Sequence, residues 1–178
     1  MVPILPAVVG VLALTVGDAD WTVAGPPETP TPAPRPCSAA AYRQFDFWLG
    51  SWSVTRPDGK TAGTNRLTRI LGGCALREQW RGAGGSSGTS LNVYDADAKL
   101  WRQTWVDDRG GVLLLTGGLR NGRMVLEGDT PAPGGKTVRQ RITWTPMPDG
   151  RVRQFWDSSS DGGKTWKSEF DGLYAPEK

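Results

Sequence analysis

The chain has 178 residues, a formal net charge of +3, 24 glycines, 14 prolines and nine tryptophans, and no histidine. The missing histidine excludes Ser-His-Asp and Cys-His catalysis and His-ligated zinc or haem, which leaves Glu, Asp, Lys, Tyr or Cys for proton transfer. Acidic and basic residues are interspersed with no basic tract, so no nucleic-acid partner is expected, and without histidine neither a metal nor a cofactor is expected.

Residues 4–16 read I-L-P-A-V-V-G-V-L-A-L-T-V. This apolar run has the length of a signal-peptide core and falls short of the roughly 17–25 residues of a membrane span. No Lys or Arg precedes Arg35, so the basic flank of such leaders is missing. Residues 25–36 follow as G-P-P-E-T-P-T-P-A-P-R-P, a polyproline-type spacer that does not join a packed core. The expected layout is a signal peptide over 1–24, a Pro/Thr-rich linker over 25–37 and one domain over 38–178. That is the layout of an exported protein, secreted or periplasmic, with no stable membrane span. Cys37 and Cys74 are the two cysteines. In an oxidising compartment they form one disulfide, the alternative being two separate buried thiols.

Residues 38–48 predict a short helix, with Ser38 as N-cap and Tyr42, Phe45 and Trp48 at 3–4 spacing. Everything beyond reads as strand and turn. Expected strands cover 52–56, 62–71, 75–81, 89–94, 100–107, 112–117, 123–127, 137–145, 151–157 and 165–173. The separators are turn chemistry, among them Pro57-Asp58-Gly59, Asn121-Gly122 and Pro148-Asp149-Gly150. About ten hairpin-linked strands make an all-β, up-and-down antiparallel barrel, because closure removes the exposed edges.

Three strands repeat one pattern: Glu78 with Trp80, Gln103 with Trp105, and Gln154 with Trp156. Residues two apart share a strand face. A tryptophan facing solvent on three strands would build an apolar patch that soluble monomers rarely carry. All six are therefore expected to project into one lumen. Asn65, Asn92, Tyr94 and Arg141 are candidates to join that lining. Aromatic walls with a few polar groups describe a small-molecule pocket, while the alternative is a solid core with the polar groups turned outward.

Phe45 to Trp52 reads F-D-F-W-L-G-S-W, and its end, Gly50-Ser51-Trp52, resembles the G-x-W signature of lipocalins and related calycin barrels. In those proteins a short helix leads into the first strand and the Trp plugs the closed end, which implies burial of Trp52. With A-G-T-N-R at 62–66, L-G-G-C-A-L-R-E-Q-W at 71–80, G-T-S-L-N-V-Y-D at 88–95, W-R-Q-T-W-V-D at 101–107 and F-D-G-L-Y at 170–174, nearly the whole chain after Cys37 resembles a family of exported bacterial lipocalin-like domains of unknown function. Such domains are distantly similar to the nitrobindin and fatty-acid-binding barrels. The resemblance implies a fold more than a reaction. It departs from nitrobindin at the haem ligand, a histidine that this chain does not have.

Residues 159–166 read S-S-D-G-G-K-T-W, an Asp-box like those of sialidase propellers. It occurs once, and a propeller needs several blades, so the physical reading is a hairpin. Asp161 accepts backbone N–H groups there and Trp166 packs beneath. The glycine-rich stretch 82–90 lacks the Lys and helix of a phosphate loop and reads as a hairpin loop at the barrel mouth.

Glu78 is the one carboxylate singled out. In a Trp-lined interior desolvation raises its pKa and fits it for acid or base work, the alternative being a salt bridge to Arg66 or Arg141. Three functional readings follow. The first is a barrel holding a small apolar or aromatic ligand. The second is an isomerase- or cyclase-type enzyme using Glu78 with Gln103, Asn92 or Tyr94. The third is a filled structural barrel.

Overall fold

The computed structural model describes residues 35–177. The expected signal-peptide run and most of the Pro/Thr linker lie outside the described residues. Ten strands follow a short N-terminal segment: β1 Gly50–Thr55, β2 Thr61–Ile70, β3 Ala75–Gly82, β4 Ser87–Asp95, β5 Leu100–Asp107, β6 Val112–Arg120, β7 Arg123–Ala132, β8 Lys136–Pro146, β9 Val152–Ser159 and β10 Lys167–Pro176. Each pairs antiparallel with the next, and β1 pairs with β10, so the sheet closes into a barrel as the strand pattern predicts. No strand is left with an unpaired edge, which is the physical gain of closure.

Turn residues set the register. Asn121 and Gly122 both have positive φ, 50° and 76°, as a two-residue hairpin of type I′ requires. Arg120 and Arg123 therefore pair directly, and β6 and β7 follow in step from there. Along β4, Ser90 and Asn92 are buried while Leu91 and Val93 stand outside, the period-two alternation of a sheet with one core face.

The up-and-down order gives the barrel two different ends. The β2–β3, β4–β5, β6–β7 and β8–β9 connections share one end with the N-terminal segment. The other five connections form the opposite rim.

The N-terminal segment closes its end. Its short helix forms as two successive 3-10 turns, Ala40–Arg43 and Asp46–Trp48. Ser38 is not its cap: the turn opens one residue later, from an extended Ala39, with no side chain bonding its first N–H groups. Residues three apart nearly eclipse in a 3-10 turn. Phe45 and Trp48 thus drop together into the barrel, both fully buried. Phe45 lies 5.0 Å from Trp48, 5.6 Å from Trp101 and 5.1 Å from Trp144, centroid to centroid. Trp52 sits beneath, 4% exposed, its indole N–H donating to the Trp48 carbonyl at 3.0 Å, where the G-x-W resemblance implies.

The Cys37–Cys74 disulfide ties the start of the domain to the β2–β3 connection. Arg43 donates to the carbonyls of both Cys37 and Gly73, and Asp46 accepts from Arg69 at 2.5 Å. The closed end is thus held by covalent, ionic and aromatic contacts at once. Among the described residues no helix is long and apolar enough to cross a membrane.

Candidate functional site

Between the aromatic plug and the open rim lies a belt of buried polar side chains. β2, β3, β4 and β5 each contribute through inward positions of the period-two pattern: Asn65, Glu78, Ser90 with Asn92, and Gln103. They form one continuous chain. Gln103 Nε2 donates to Asn92 Oδ1 at 2.9 Å, and Asn92 Nδ2 donates to Ser90 Oγ at 2.9 Å. Ser90 Oγ donates to Glu78 Oε2 at 2.6 Å, and Asn65 Nδ2 donates to Glu78 Oε1 at 2.8 Å. Every hydrogen points toward the carboxylate, the arrangement that satisfies an ionised acceptor.

Among the described residues Glu78 has no cationic partner. Arg66, one of the two expected alternatives, stands on the outer face of β2 opposite Gln79. Burial pushes the Glu78 carboxyl up to about 7, with the bonds from Ser90 and Asn65 pulling the other way. Tyr174 on β10 is raised well above its ordinary range by burial and by the neighbouring Glu78 charge, so its hydroxyl stays a neutral donor, bonded to Gln154 Oε1 at 2.6 Å.

Above this belt the lumen opens into a cavity of about 360 Å³. Glu78, Trp80, Gln103, Trp105, Gln154 and Trp156 all line it, so the three polar–x–Trp pairs do meet in one lumen. Trp144, Ile142, Leu113, Phe170 and Tyr174 complete the wall, and Arg56, Asp107, Arg109 and Glu169 stand at the rim. Two glycines shape the wall. A Cβ at Gly88 would strike the Trp105 ring, and one at Gly172 would strike the Phe170 ring. Bare backbone at these points is what lets both rings lie flat against the sheet.

Four expected lining residues sit elsewhere. Arg141 faces outward, because Gln140, Ile142 and Trp144 occupy the inward positions of β8. It pairs with Asp157 at 2.5 Å and stacks on Trp166 at 3.7 Å. Tyr94 has an inward register but lies at the closed end, packed edge-on against Tyr42 at 5.2 Å. Asn65 and Asn92 lie below the cavity floor and reach it through Glu78 and Gln103.

The Asp-box is a hairpin at the open rim. Asp161 accepts from the Lys164 and Thr165 N–H groups and the Thr165 hydroxyl, which hold its carboxyl well below the usual carboxylate range. Trp166 turns its N–H to the Gly163 carbonyl and covers Arg141 from outside. Among the described residues no group of three His, Cys, Asp or Glu side chains is placed to hold a metal ion.

No family model matches this chain, and no curated protein matches it.

Sequence reasoning passed over Tyr174, Trp144 and Phe170. Trp144 had a signal: Gln140, Ile142 and Trp144 repeat the same period-two logic on β8. The rim arginines, Arg56 and Arg109, sit at turns, where no periodicity marks them. Chemically, the site offers an aromatic slot with one buried, unneutralised carboxylate at its inner end. The Ser90 hydroxyl bonded to that carboxylate does not itself line the cavity.

Proposed function

We propose that this protein is an exported lipocalin-like barrel that binds a small, mostly apolar or aromatic ligand in its open-ended lumen. The observation that carries this reading is the cavity of about 360 Å³ walled by Trp80, Trp105, Trp144 and Trp156 above a polar floor. Such walls and volumes, roughly 300–1,000 Å³ with few polar groups, are those of small-molecule pockets. The disulfide supports export, since such bridges persist in oxidising compartments. The strand order and the buried Trp52 support kinship with the lipocalin-like domains that the sequence motifs resemble.

Titration with a panel of lipophilic and aromatic compounds, read by intrinsic tryptophan fluorescence, tests the reading. A ligand seated among these indoles quenches or shifts the emission. Silence from every class of compound would sink it.

A second reading, acid–base catalysis by Glu78, is favoured by one observation: the carboxyl lines the cavity, has no arginine partner and titrates at about 7. An acid or base working near neutrality has that pKa. Its test is solvent deuterium exchange into a bound carbonyl compound, present in the wild type and abolished by Glu78→Gln.

A further inference from the structure

We infer that the ligand enters amine-first: an aromatic or apolar body bearing a protonated amine, which pairs with Glu78 at the cavity floor. The inference rests on the ligand-binding reading and names the chemistry of that same site.

The first argument is the direction of the hydrogen bonds in the wall. Most donors at the inner end of the cavity are already donated within the protein. Trp144 Nε1 and Tyr174 Oη both bond Gln154 Oε1, at 3.1 and 2.6 Å, and Trp156 Nε1 bonds Gln140 Oε1 at 2.8 Å. Gln103 Nε2 is given to Asn92. At the inner end, what remains toward the void is mainly acceptor: the spare lone pairs of the Glu78 carboxylate and Gln103 Oε1, with the Gln154 amide nitrogen as a donor beside them. The Trp80 and Trp105 N–H groups and the Ser86 hydroxyl are further donors and stand nearer the rim. Just below the floor, Asn65 Oδ1 is buried with no hydrogen-bond partner among the described residues. A cavity floor of acceptors calls for a donor.

The second argument is charge. Glu78 receives two neutral donors and no cation. Arg56 and Arg109 stand with Asp107 and Glu169 at the rim, so no net positive field reaches the floor from there. A buried carboxylate without a counter-ion is costly, and an incoming ammonium supplies the missing charge.

The third argument is the wall itself. Indole faces carry negative quadrupole potential and attract cations, tryptophan most strongly of the aromatic residues. Trp80, Trp105, Trp144 and Trp156 line the space an ammonium crosses to reach Glu78. Walls and floor thus select the same sign. A carboxylate-first ligand meets repulsion from both.

The test compares three probes of one shape, tryptamine, 3-propylindole and indole-3-propionate, by calorimetry at pH 8 on the wild type and on Glu78→Gln. The amine is expected to bind the wild type at least about tenfold more tightly than the propyl compound, the scale of one charged hydrogen bond, with the propionate weakest. Glu78→Gln should bring the amine to the level of the propyl compound and leave the latter nearly unchanged. Equal affinities of amine and propyl compound for the wild type, a preference for the propionate, or an amine preference that survives Glu78→Gln each overturn the inference while leaving ligand binding intact. No binding by any of the three overturns the inference, and the ligand-binding reading falls with it only where the full lipophilic and aromatic panel is silent as well. The wild-type comparison needs no variant, so it stands even where Glu78→Gln folds poorly.

Discussion

Ser90 faces Glu78 across the β3–β4 pair, and its hydroxyl donates to Glu78 Oε2 at 2.6 Å. Because Ser90 Oγ already accepts from Asn92, its own hydrogen is committed to the carboxylate. The belt is therefore directional, with Glu78 as its terminus.

That terminus couples stability to pH. The folded carboxyl titrates at about 7 against an ordinary 4.5. Between those values the folded protein holds a proton that the unfolded chain has released. Stability from this group is therefore full below about 4.5, falls as pH rises and is lost above about 7. The interval corresponds to about 3 kcal/mol. Tyr174, the other titratable group on this floor, stays neutral throughout. Urea unfolding of wild type and Glu78→Gln at pH 4.5 and pH 8 checks this. The variant should gain about 3 kcal/mol on the wild type between the two conditions, and a constant difference would contradict the assignment. The amide is well tolerated in principle, because Asn65 can turn over and present its unpartnered Oδ1 to the new N–H.

Gly88→Ala tests the wall. The new methyl meets the Trp105 ring, which must swing into the cavity or toward the rim. Overpacking of this kind costs about 1–3 kcal/mol. The expected result is a modest loss of stability together with an altered tryptophan emission and weaker binding of any lumen ligand. Unchanged emission would show that the Trp105 ring does not pack against Gly88 of β4.

Trp52→Ala tests the closed end. Trp52 is buried and bonded to the Trp48 carbonyl, so the substitution removes a large packed ring and one satisfied N–H. A loss of about 3–5 kcal/mol is expected from chemical denaturation. A loss below about 1 kcal/mol, the level of surface changes, would place the ring elsewhere.

The disulfide spans a sequence separation of 37. Chain-entropy arguments give such a loop about 4 kcal/mol. Cys37→Ser with Cys74→Ser should lower stability by an amount of that order. A free-thiol assay on unfolded, unreduced protein should find none, and two thiols would refute the bridge.

The barrel was legible because its signals are local. Turn dipeptides such as Asn121-Gly122 fix hairpins, and a chain of hairpins leaves few topologies. Face was legible wherever a tryptophan fixed it: Trp80, Trp105 and Trp156 each carried a polar neighbour inward. Arg141 has no polar–x–Trp neighbour to fix its face, and Trp144, an odd step away on β8, turns it outward. Tyr94 shows a second limit. Period two gives the face of a strand but not the depth along the barrel axis, which depends on how strands stagger around the whole sheet. Tyr174 and the rim arginines needed that three-dimensional stagger too, since nothing in their own neighbourhood marks the height at which β10 or a turn meets the cavity.

Sealing one end with Phe45, Trp48 and Trp52 makes the lumen a blind tunnel. Whatever enters must leave by the same door, head-first in and tail-first out. Only the leading part of a guest is measured against the walls, while its trailing part remains in solvent beyond the rim. A long molecule can therefore be held by its tip, and a compound coupled to a bead through its outer end can still be captured. On the ligand-binding reading, a search for a guest should use baits tethered at the end opposite the group proposed to meet Glu78.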